Sequence, residues 1–265
     1  MESAIDKLNG LIGLQRVKEE IAQLRDFVLI QKARRDQGME VTDLSYHCVF
    51  SGSPGTGKTT VARIVAGIYK ELGILKKGHL VEVQRADLVG EYLGQTAPKT
   101  NQMIDKALDG ILFIDEAYTL SIDNDQYGSE CIATLLKRME DDKDRLVVII
   151  AGYEKEIEHF LSSNPGLKSR FNRFIHFEDY GPKELTSIFL SYLKAKEYII
   201  TSGGHQAVFQ NIYKAWKQRD QNFGNARFVR NLFEKTIQKQ ARRLSSLGRT
   251  PSRLELQTIT ESDIE

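Results

Sequence analysis

A run of eight residues has the composition and spacing of a phosphate-binding loop. It is Gly52-Ser53-Pro54-Gly55-Thr56-Gly57-Lys58-Thr59, and it matches the pattern G-x-x-x-x-G-K-[ST] at every fixed position. The glycines let the backbone wrap so closely that its N–H groups point at phosphate oxygens, and the N-terminus of a following helix adds positive partial charge. In such loops the lysine binds the β- and γ-phosphates and the threonine hydroxyl binds Mg²⁺. The run lies between an apolar segment and a helical pattern, which disfavours the alternative of a glycine-rich turn without a ligand.

Two carboxylates, Asp115 and Glu116, follow the four apolar residues Ile111 to Ile114. A strand buried on both faces would place Asp115 beside the loop, where it would hold the shell of a Mg²⁺ ion. Glu116 would then polarise the attacking water as a general base. Acidic residues often end strands, so this pattern is weak alone and becomes specific only after a complete phosphate-binding loop. Hydrolysis needs a base, whereas small-molecule kinases deprotonate their substrate with other groups, so the pair favours an ATPase over a P-loop kinase.

Short apolar runs that alternate with helical patterns indicate the elements that position these residues. The predicted strands are Tyr46 to Phe50, Leu80 to Val83, Ile111 to Ile114, Leu146 to Ala151 and Phe174 to Phe177. This alternation is typical of a parallel sheet with helices on both faces. After Tyr180 three helical segments follow with no strand run between them: Pro182 to Lys196, His205 to Arg219 and Ala226 to Leu247. We therefore predict an α/β nucleotide-binding domain at residues 1–180 and a small all-helical domain at residues 181–265.

Together these motifs resemble AAA+ ATPases, P-loop NTPases in which a five-stranded parallel sheet flanked by helices is followed by a small helical lid domain. Four further segments carry the resemblance: Asn9 to Leu14 is similar to the family's adenine-packing segment, Glu91 to Gly94 to an aromatic pore loop, Ser169 to Arg173 to the arginine-finger segment, and Gly224 to Arg227 to the sensor-2 motif. Within the family the chain is most similar to the CbbX/SpoVK (CfxQ) subgroup, on the stretches Ala86 to Thr100, Phe113 to Tyr118, Ala151 to Tyr153 and Asn164 to Gly166. These runs indicate the subgroup but do not identify a client protein.

The resemblance implies ATP and Mg²⁺ as cofactors, a homo-oligomeric ring that is expected to be a hexamer, and a protein client. It implies that ATP is held by Ile12, Gly13, Gly52, Ser53, Pro54, Gly55, Thr56, Gly57, Lys58, Thr59, Thr60 and Asp115, and the metal by Thr59 and Asp115. It implies catalytic roles for Glu116, Arg170, Arg173 and Arg227, and contact of Tyr92 and Leu93 with the client.

The three arginines are each open to a second interpretation. Arg170 and Arg173 lie in a segment marked by glycine and proline, which predicts a loop. In a ring, one of them would reach the γ-phosphate of the neighbouring subunit; alternatively both are solvated surface arginines. Arg227 begins the last long helix, where reaching the γ-phosphate would couple the lid angle to the nucleotide state. Its alternative is an arginine on the helix surface.

Tyr92 and Leu93 stand between glycines in a predicted loop. An exposed aromatic residue on a loop is typical of a contact surface, here a loop that grips a peptide without sequence preference. The alternative is that the two side chains pack against a neighbouring helix. One departure from the wider family is Tyr153, which lies where many members have a polar sensor-1 residue; either its hydroxyl positions a water or the ring only packs.

Composition limits the possible partners. The chain has 37 Lys and Arg against 36 Asp and Glu, a net charge of +1, so no overall basic field favours nucleic acid or a membrane surface. Neither a secretory leader nor a stretch of ~20 apolar residues is evident, and the two cysteines fit buried, reduced thiols, so we expect a cytoplasmic setting. The basic stripe of the last helix, Lys235, Lys239, Arg242 and Arg243, is expected to be a solvated face.

Three functions remain in competition at this point. The first is a ring that remodels a client protein, which the pore-loop segment favours. The second is an ATP-dependent switch of assembly and partner docking. The third is a motor or loader on nucleic acid, against which the near-neutral charge counts.

Overall fold

The structure is a computed structural model, and it describes residues 2–41, 45–121 and 125–264. It contains two compact units. The first comprises the described residues as far as Gly52 together with Gly57–Phe177, and the second comprises Ser53–Thr56 together with the described residues from Glu178 onward. Among the described residues, no helix combines the length and the apolar character that crossing a membrane requires.

The first unit is built on a five-stranded parallel sheet, which confirms the predicted fold. Its strands are β1 (Cys48–Gly52), β2 (Leu80–Val83), β3 (Gly110–Ile114), β4 (Leu146–Gly152) and β5 (Arg173–Phe177), in the order β2-β3-β4-β1-β5. Every residue of β1, β3 and β4 is buried. Parallel strands that are covered on both faces require side chains that are apolar on both faces, which explains the unbroken apolar runs. All five carboxyl ends meet at one edge of the sheet.

Helices cover the two faces of this sheet. They are α1 (Ala4–Asn9), α2 (Gln15–Asp36), α3 (Lys58–Glu71), α4 (Arg85–Leu88), α5 (Thr96–Ala107), α6 (Gln126–Asp141), α7 (Glu154–Ser162) and α8 (Pro165–Arg170), with a 3₁₀ turn at Ala117–Leu120. Phe50 packs in the core shared with α1, α2 and α3, whereas its neighbour Val49 packs in the core shared with α5, α6 and α7. Successive residues therefore serve opposite faces, as the period of a strand dictates.

The second unit is mainly helical. Its elements are α9 (Pro182–Ala195), β6 (Ile199–Ile200), α10 (Ser202–Lys217), α11 (Ala226–Ser245), α12 (Arg253–Gln257), β7 (Thr258–Ile259) and a 3₁₀ turn at Glu261–Asp263. The three predicted helices are present. The short strands β6 and β7, which the sequence analysis did not anticipate, pair in parallel. Two residues are too few to show the alternation by which a strand is recognised.

One residue of the predicted solvated stripe is only partly exposed and has a buried partner. Arg243 donates two hydrogen bonds of 2.8 Å to the carboxylate of Asp263, which is only 1% exposed. A buried carboxylate needs such a partner, because its desolvation would otherwise be costly. Arg243 is thus a half-exposed charge with a structural role: it holds the C-terminal 3₁₀ turn against α11.

Candidate functional site

The phosphate-binding loop joins the carboxyl end of β1 to the N-terminus of α3. Gly57 precedes the helix with φ 98°, and Gly52 has φ 143°. A Cβ on Gly52 would lie 2.3 Å from the backbone oxygen of Phe177, so only glycine fits there. The loop thus has the strand–loop–helix context that the motif requires, and it leads directly into the N-terminus of a 14-residue helix.

Lys58 and Thr59, the first two residues of α3, are held close to the loop. Lys58 Nζ donates to the carbonyl oxygen of Gly52 at 2.8 Å. Thr59 Oγ1 lies 3.5 Å from Oε1 of Glu82 on β2, and Arg63 lies 3.7 Å from the other oxygen of that carboxylate. Glu82 is a third acidic group beside the predicted metal ligands, and the sequence analysis did not identify it. Its only signal was a charged residue inside an otherwise apolar strand.

Asp115 and Glu116 directly follow β3, at the same edge of the sheet as the loop. The order of the strands puts β4 alone between β3 and β1, so the two backbones lie about 10 Å apart. Asp115 is fixed by its N–H, which donates to the carbonyl of Val83 at 2.9 Å, and its Oδ1 accepts from the N–H of Glu116 at 3.1 Å. Glu116 is exposed and adopts φ 51°, ψ 44°. Left-handed backbone at a non-glycine residue is uncommon and concentrates at functional sites.

A cavity of about 470 Å³ adjoins Glu116. It is lined by Gln84, Arg85, Ala86, Val89, Gly90, Glu91, Lys99, Asp115, Glu116 and Thr119. Arg85 braces its wall: the guanidinium donates to the carbonyl of Thr119 at 2.8 Å and pairs with Asp125 at 2.6 Å. Because Thr119 in turn donates to the carbonyl of Glu116 at 2.7 Å, the backbone of Glu116 is tied to Arg85 through one intermediate residue.

Tyr153 follows β4 at the same edge. Its ring lies 6.4 Å from the ring of Tyr118, centroid to centroid, in a tilted arrangement. Burial, followed by the charge of Glu116, raises the pKa of Tyr118 to about 12. Packing against Tyr118 is thus one role of Tyr153; whether its hydroxyl also positions a water stays a prediction.

Arg170 and Arg173 do not lie in a loop, so that prediction is wrong. Arg170 is the last residue of α8 and Arg173 is the first residue of β5. The side chain of Asn164 caps α8 by accepting a hydrogen bond of 2.8 Å from the N–H of Gly166, and Pro165 occupies the first turn. Both the proline and the glycine that suggested a loop are compatible with the start of a short helix.

Both arginines lie at the edge of the sheet opposite to the phosphate-binding loop. Arg173 is paired with Cys48 and Phe177 with Gly52, and four residues of strand span about 13 Å. Arg170 lies at the same edge, because its carbonyl accepts a hydrogen bond of 2.8 Å from the hydroxyl of Ser45, just before β1, and its side chain pairs with Glu140 at 3.1 Å. Nε of Arg173 is buried and has no hydrogen-bond partner among the residues that the structure describes. Neither side chain is a freely solvated arginine, and the structure brings neither to the loop of its own chain.

Comparison with known proteins decides the family. Residues 48–179 match the model of the ATPase family associated with various cellular activities (AAA), and residues 181–265 match the AAA lid domain. The chain is 40% identical to stage V sporulation protein K of Bacillus subtilis, over 97% of this chain and 80% of that protein. The chain belongs to the AAA ATPase family. It is accordingly an ATPase that binds a nucleotide, in a family that is generally oligomeric and acts on protein substrates.

Other relatives of this AAA ATPase are named for different functions. It is 42% identical to the chloroplastic ribulose bisphosphate carboxylase/oxygenase activase of Cyanidioschyzon merolae, over 100% of this chain and 91% of that one. It is 42% identical to the ESX-3 secretion system protein EccA3 of Mycolicibacterium smegmatis, but spans only 45% of that protein. The solved FIGL-1 AAA domain in complex with ADP matches with a TM-score of 0.65 and 20% identity, over 96% of this chain and 80% of that chain. That last likeness shows the fold alone.

The loop between α4 and α5 presents the predicted client-binding residues of the AAA ATPase. Tyr92 is 67% exposed and Leu93 is 85% exposed, so the alternative that they pack against a helix does not describe this structure. The base of the loop is firmly held, since the N–H of Gly90 donates to Thr96 Oγ1 at 3.1 Å and Lys99 Nζ donates to the carbonyl of Val89 at 3.0 Å. An exposed apolar tip therefore stands on a fixed base.

Ile12 and Gly13 connect α1 to α2. Gly13 and Leu14 both have positive φ, at 64° and 58°, which turns the chain sharply. Lys18 holds this turn by donating to the carbonyl of Leu11 at 2.6 Å. α1 packs on α3 in the same unit, where the N–H of Ala4 donates to Glu71 at 2.9 Å. The adenine role of Ile12 and Gly13 stays a prediction.

Arg227 lies exposed in the first turn of α11, and the tip of the phosphate-binding loop lies in the same compact unit. The N–H of Ala226 donates to the carbonyl of Gly55 at 3.1 Å. Asn225, directly before α11, is completely buried, with φ 46° and ψ −120°. The sequence analysis included Asn225 in the sensor-2 segment but gave it no role. The sequence signal was an asparagine directly before a helix, the usual position of a capping residue, but in the structure its side chain makes no capping hydrogen bond.

The buried imidazole of His47 predicts a loss of stability in mild acid. Burial, followed by the charge of Arg170, lowers the pKa of His47 from 6.5 to about 4, and Nδ1 accepts a hydrogen bond of 3.0 Å from the N–H of Val148. As pH falls below about 6.5 the unfolded chain takes up a proton that the folded protein refuses until about pH 4. The contribution of His47 to the free energy of unfolding is therefore complete above pH 6.5, and it should decline by about 3 kcal/mol as the pH falls to 4.

The measurement is urea unfolding of the wild type and His47→Asn at pH 7 and pH 4.5. Asparagine keeps a hydrogen-bond acceptor but does not titrate, so the variant should lose less stability between the two pH values. An equal loss in both proteins would contradict the assignment.

Proposed function

We propose that this AAA ATPase couples ATP hydrolysis to the remodelling of a client protein, as a ring of identical subunits that is most simply a hexamer. One observation carries the proposal: the base of the loop that exposes Tyr92 and Leu93 lines the same cavity as Asp115 and Glu116. The base of this loop and the proposed hydrolytic carboxylate of Glu116 therefore face the same cavity, so that a movement of one can displace the other. This is the arrangement expected where hydrolysis moves a gripping loop.

The nucleotide site is proposed at the carboxyl edge of the sheet. Lys58 would bind the terminal phosphates, and Thr59 and Asp115 would hold Mg²⁺. Their oxygen donors suit this ion, which usually takes one or two carboxylates and completes its shell with phosphate oxygens and waters. Mg²⁺ would neutralise charge on the transferred phosphoryl group. Glu116 would accept the proton of the attacking water. Residues 1–180 would form the nucleotide-binding domain and residues 181–265 the lid.

The proposed ring follows from the place of Arg170 and Arg173. The strand register sets Arg173 about 13 Å from the start of the phosphate-binding loop of its own chain, at the opposite edge of the sheet. Arg170 lies at that opposite edge as well, because its carbonyl accepts a hydrogen bond of 2.8 Å from the hydroxyl of Ser45, just before β1. An arginine side chain does not bridge that distance. If either arginine stabilises the transition state, it must therefore do so in the site of a neighbouring subunit. Such a head-to-tail contact closes into a ring when the rotation between subunits permits.

The client that we propose is a protein. A relative is named for activating ribulose bisphosphate carboxylase/oxygenase and another for a secretion system, and these clients differ. We propose a protein client for this chain. An assembly switch without remodelling is the second candidate, and it would show slow, client-independent turnover.

Replacing Tyr92 with alanine tests the gripping loop. We expect remodelling of the client to fall at least about tenfold, because a buried aromatic contact at an interface commonly contributes more than 1.4 kcal/mol. ATP hydrolysis without client should stay within about twofold of the wild type, since Tyr92 is exposed and the base of the loop is held by other residues. The client is first isolated on the Glu116→Gln variant, and its ATP-dependent conformational change is then followed by protease sensitivity.

Tyr213→Ala is the matched control, because Tyr213 is also an exposed tyrosine, on α10. It should remodel the client at the wild-type rate. Full remodelling by Tyr92→Ala with hydrolysis intact would remove the proposed role of the loop.

A further inference from the structure

Each carbonyl group of the phosphate-binding loop from Gly52 to Thr56 accepts a hydrogen bond. The carbonyl of Gly52 accepts from Lys58 Nζ, and that of Ser53 accepts from Thr56 Oγ1 at 2.9 Å. The next three carbonyls accept from residues far along the chain: Pro54 from Asn225 Nδ2 at 3.3 Å, Gly55 from the N–H of Ala226 at 3.1 Å, and Thr56 from Tyr180 Oη at 3.2 Å. All three of these bonds lie inside the second compact unit, to which Ser53–Thr56 belongs.

The direction of a carbonyl fixes the direction of the amide that follows it. A trans peptide unit is planar, so the C=O of one residue and the N–H of the next point in opposite directions. Holding the carbonyls of Pro54, Gly55 and Thr56 on the outside therefore turns the N–H groups of Gly55, Thr56 and Gly57 to the inside. Those are the groups on which a phosphate-binding loop depends, and an inward carbonyl would repel a phosphate oxygen.

Asn225 holds its position through many hydrogen bonds and an unfavourable backbone conformation. Its two amide hydrogens serve three oxygens, those of Pro54 at 3.3 Å, Asp179 at 2.8 Å and Phe223 at 3.1 Å, while its Oδ1 accepts from the N–H of Tyr180 at 3.0 Å. Its φ of 46° with ψ of −120° is a conformation that non-glycine residues rarely adopt. A fully buried polar side chain in a strained backbone persists only where its surroundings hold it.

Tyr180 completes the group. It is 6% exposed, and burial raises the pKa of Tyr180 to about 12, so its hydroxyl keeps the proton that it donates to Thr56. Its own carbonyl accepts from Nε1 of Trp216 at 3.1 Å. Trp216 is the single tryptophan of the chain. Two hydrogen bonds, both made by Tyr180, therefore connect the indole to the loop. We expect the fluorescence of Trp216 to report on the state of the loop.

We propose that Asn225 and Tyr180 are positioning residues of the nucleotide site, which orient the amides of the phosphate-binding loop by holding its carbonyls outward. This rests on the proposed placement of the phosphates at that loop. Both residues act through the loop and touch no reacting atom. They set the affinity for the phosphates and connect the state of the loop to Trp216.

The test is nucleotide affinity, with ADP and Mg²⁺ as the probe. Tyr180→Phe removes one hydrogen bond and should weaken ADP binding about 3–10-fold. Asn225→Gly suits the unusual backbone but deletes the amide, and it should weaken binding about 10–100-fold, because it leaves several buried groups unpaired. KM for ATP should rise by similar factors, while kcat at saturating ATP should change less than about threefold. The reason is that the loop amides bind the phosphates equally in the ground state and in the transition state.

Two controls separate positioning from mere loss of structure. Arg230→Ala, on the exposed face of α11, should bind ADP like the wild type, and circular dichroism of each nucleotide-free variant verifies its fold. Trp216 fluorescence of the wild type should change on ADP binding and saturate with it. In Tyr180→Phe, which keeps the carbonyl that Trp216 contacts, the change should shrink even at saturating ADP.

The outcomes are distinct. Binding of ADP by folded Asn225→Gly and Tyr180→Phe within about twofold of the wild type, while Lys58→Ala binds poorly, overturns the positioning role and leaves the nucleotide site intact. Unchanged binding by Lys58→Ala as well would overturn the proposed site itself, and with it this inference. If Asn225→Gly does not fold, Tyr180→Phe alone decides.

Discussion

Replacing Glu116 with glutamine should leave ATP binding intact and lower the rate of hydrolysis by about 10²–10⁴-fold, the usual contribution of a general base. Glutamine has the size of glutamate but cannot accept the proton of the attacking water. Because Glu116 is exposed and glutamine has the same shape, the variant should fold and bind nucleotide normally. Phosphate release in a single-turnover experiment, measured beside ADP and ATP affinity, separates the two effects.

Glu91→Gln is the matched control for this experiment. Glu91 lines the same cavity and carries the same charge, but it lies on the base of the Tyr92 loop. Its replacement should alter hydrolysis far less. Hydrolysis at the wild-type rate in Glu116→Gln would exclude Glu116 as the base and direct attention to Glu82, the other acidic group near Thr59.

The second large effect is expected at Arg170. Arg170→Ala should lower the rate of hydrolysis in the assembled ring by about 10³–10⁵-fold, if the guanidinium stabilises charge on the neighbour's γ-phosphate as arginine fingers do in other NTPases. Neither ATP affinity nor the fold should change by a comparable amount. Glu140→Ala is the control, because it removes the ion-pair partner of Arg170 and keeps the arginine itself. An exposed pair of this kind contributes about 0–1 kcal/mol, so Glu140→Ala should stay active.

Mixing the two inactive variants tests whether sites are shared between chains. An Arg170→Ala subunit keeps Glu116, and a Glu116→Gln subunit keeps Arg170. In a ring assembled from equal amounts, about a quarter of the interfaces would join an intact base to an intact arginine, and hydrolysis should recover in proportion. If Arg170 acted within its own chain, every subunit of the mixture would remain defective. No recovery, with mixed assembly verified, would contradict the shared site.

Local patterns were sufficient for the parts of the site that lie close together in the chain. The loop from Gly52 to Thr59 and the pair Asp115 and Glu116 were predicted because each motif carries its own structural context, a buried strand immediately before it. The same physics predicted the five strands, since a strand covered on both faces is apolar throughout. The short helix α8 was missed because six residues with glycine and proline resemble a loop until the cap of Asn164 is seen.

Tertiary structure alone decided which distant groups meet. The bond from Asn225 to Pro54 joins residues 171 positions apart, and no local preference of either residue encodes it. The separation of Arg173 from the phosphate-binding loop follows from the register of β5 on β1. The cavity that joins Glu116 to the Tyr92 loop likewise needs two neighbouring strands to end at one edge. The sequence by itself therefore determined the chemistry that this chain carries, because short-range spacing suffices for a motif, whereas long-range packing determined which residues orient that chemistry.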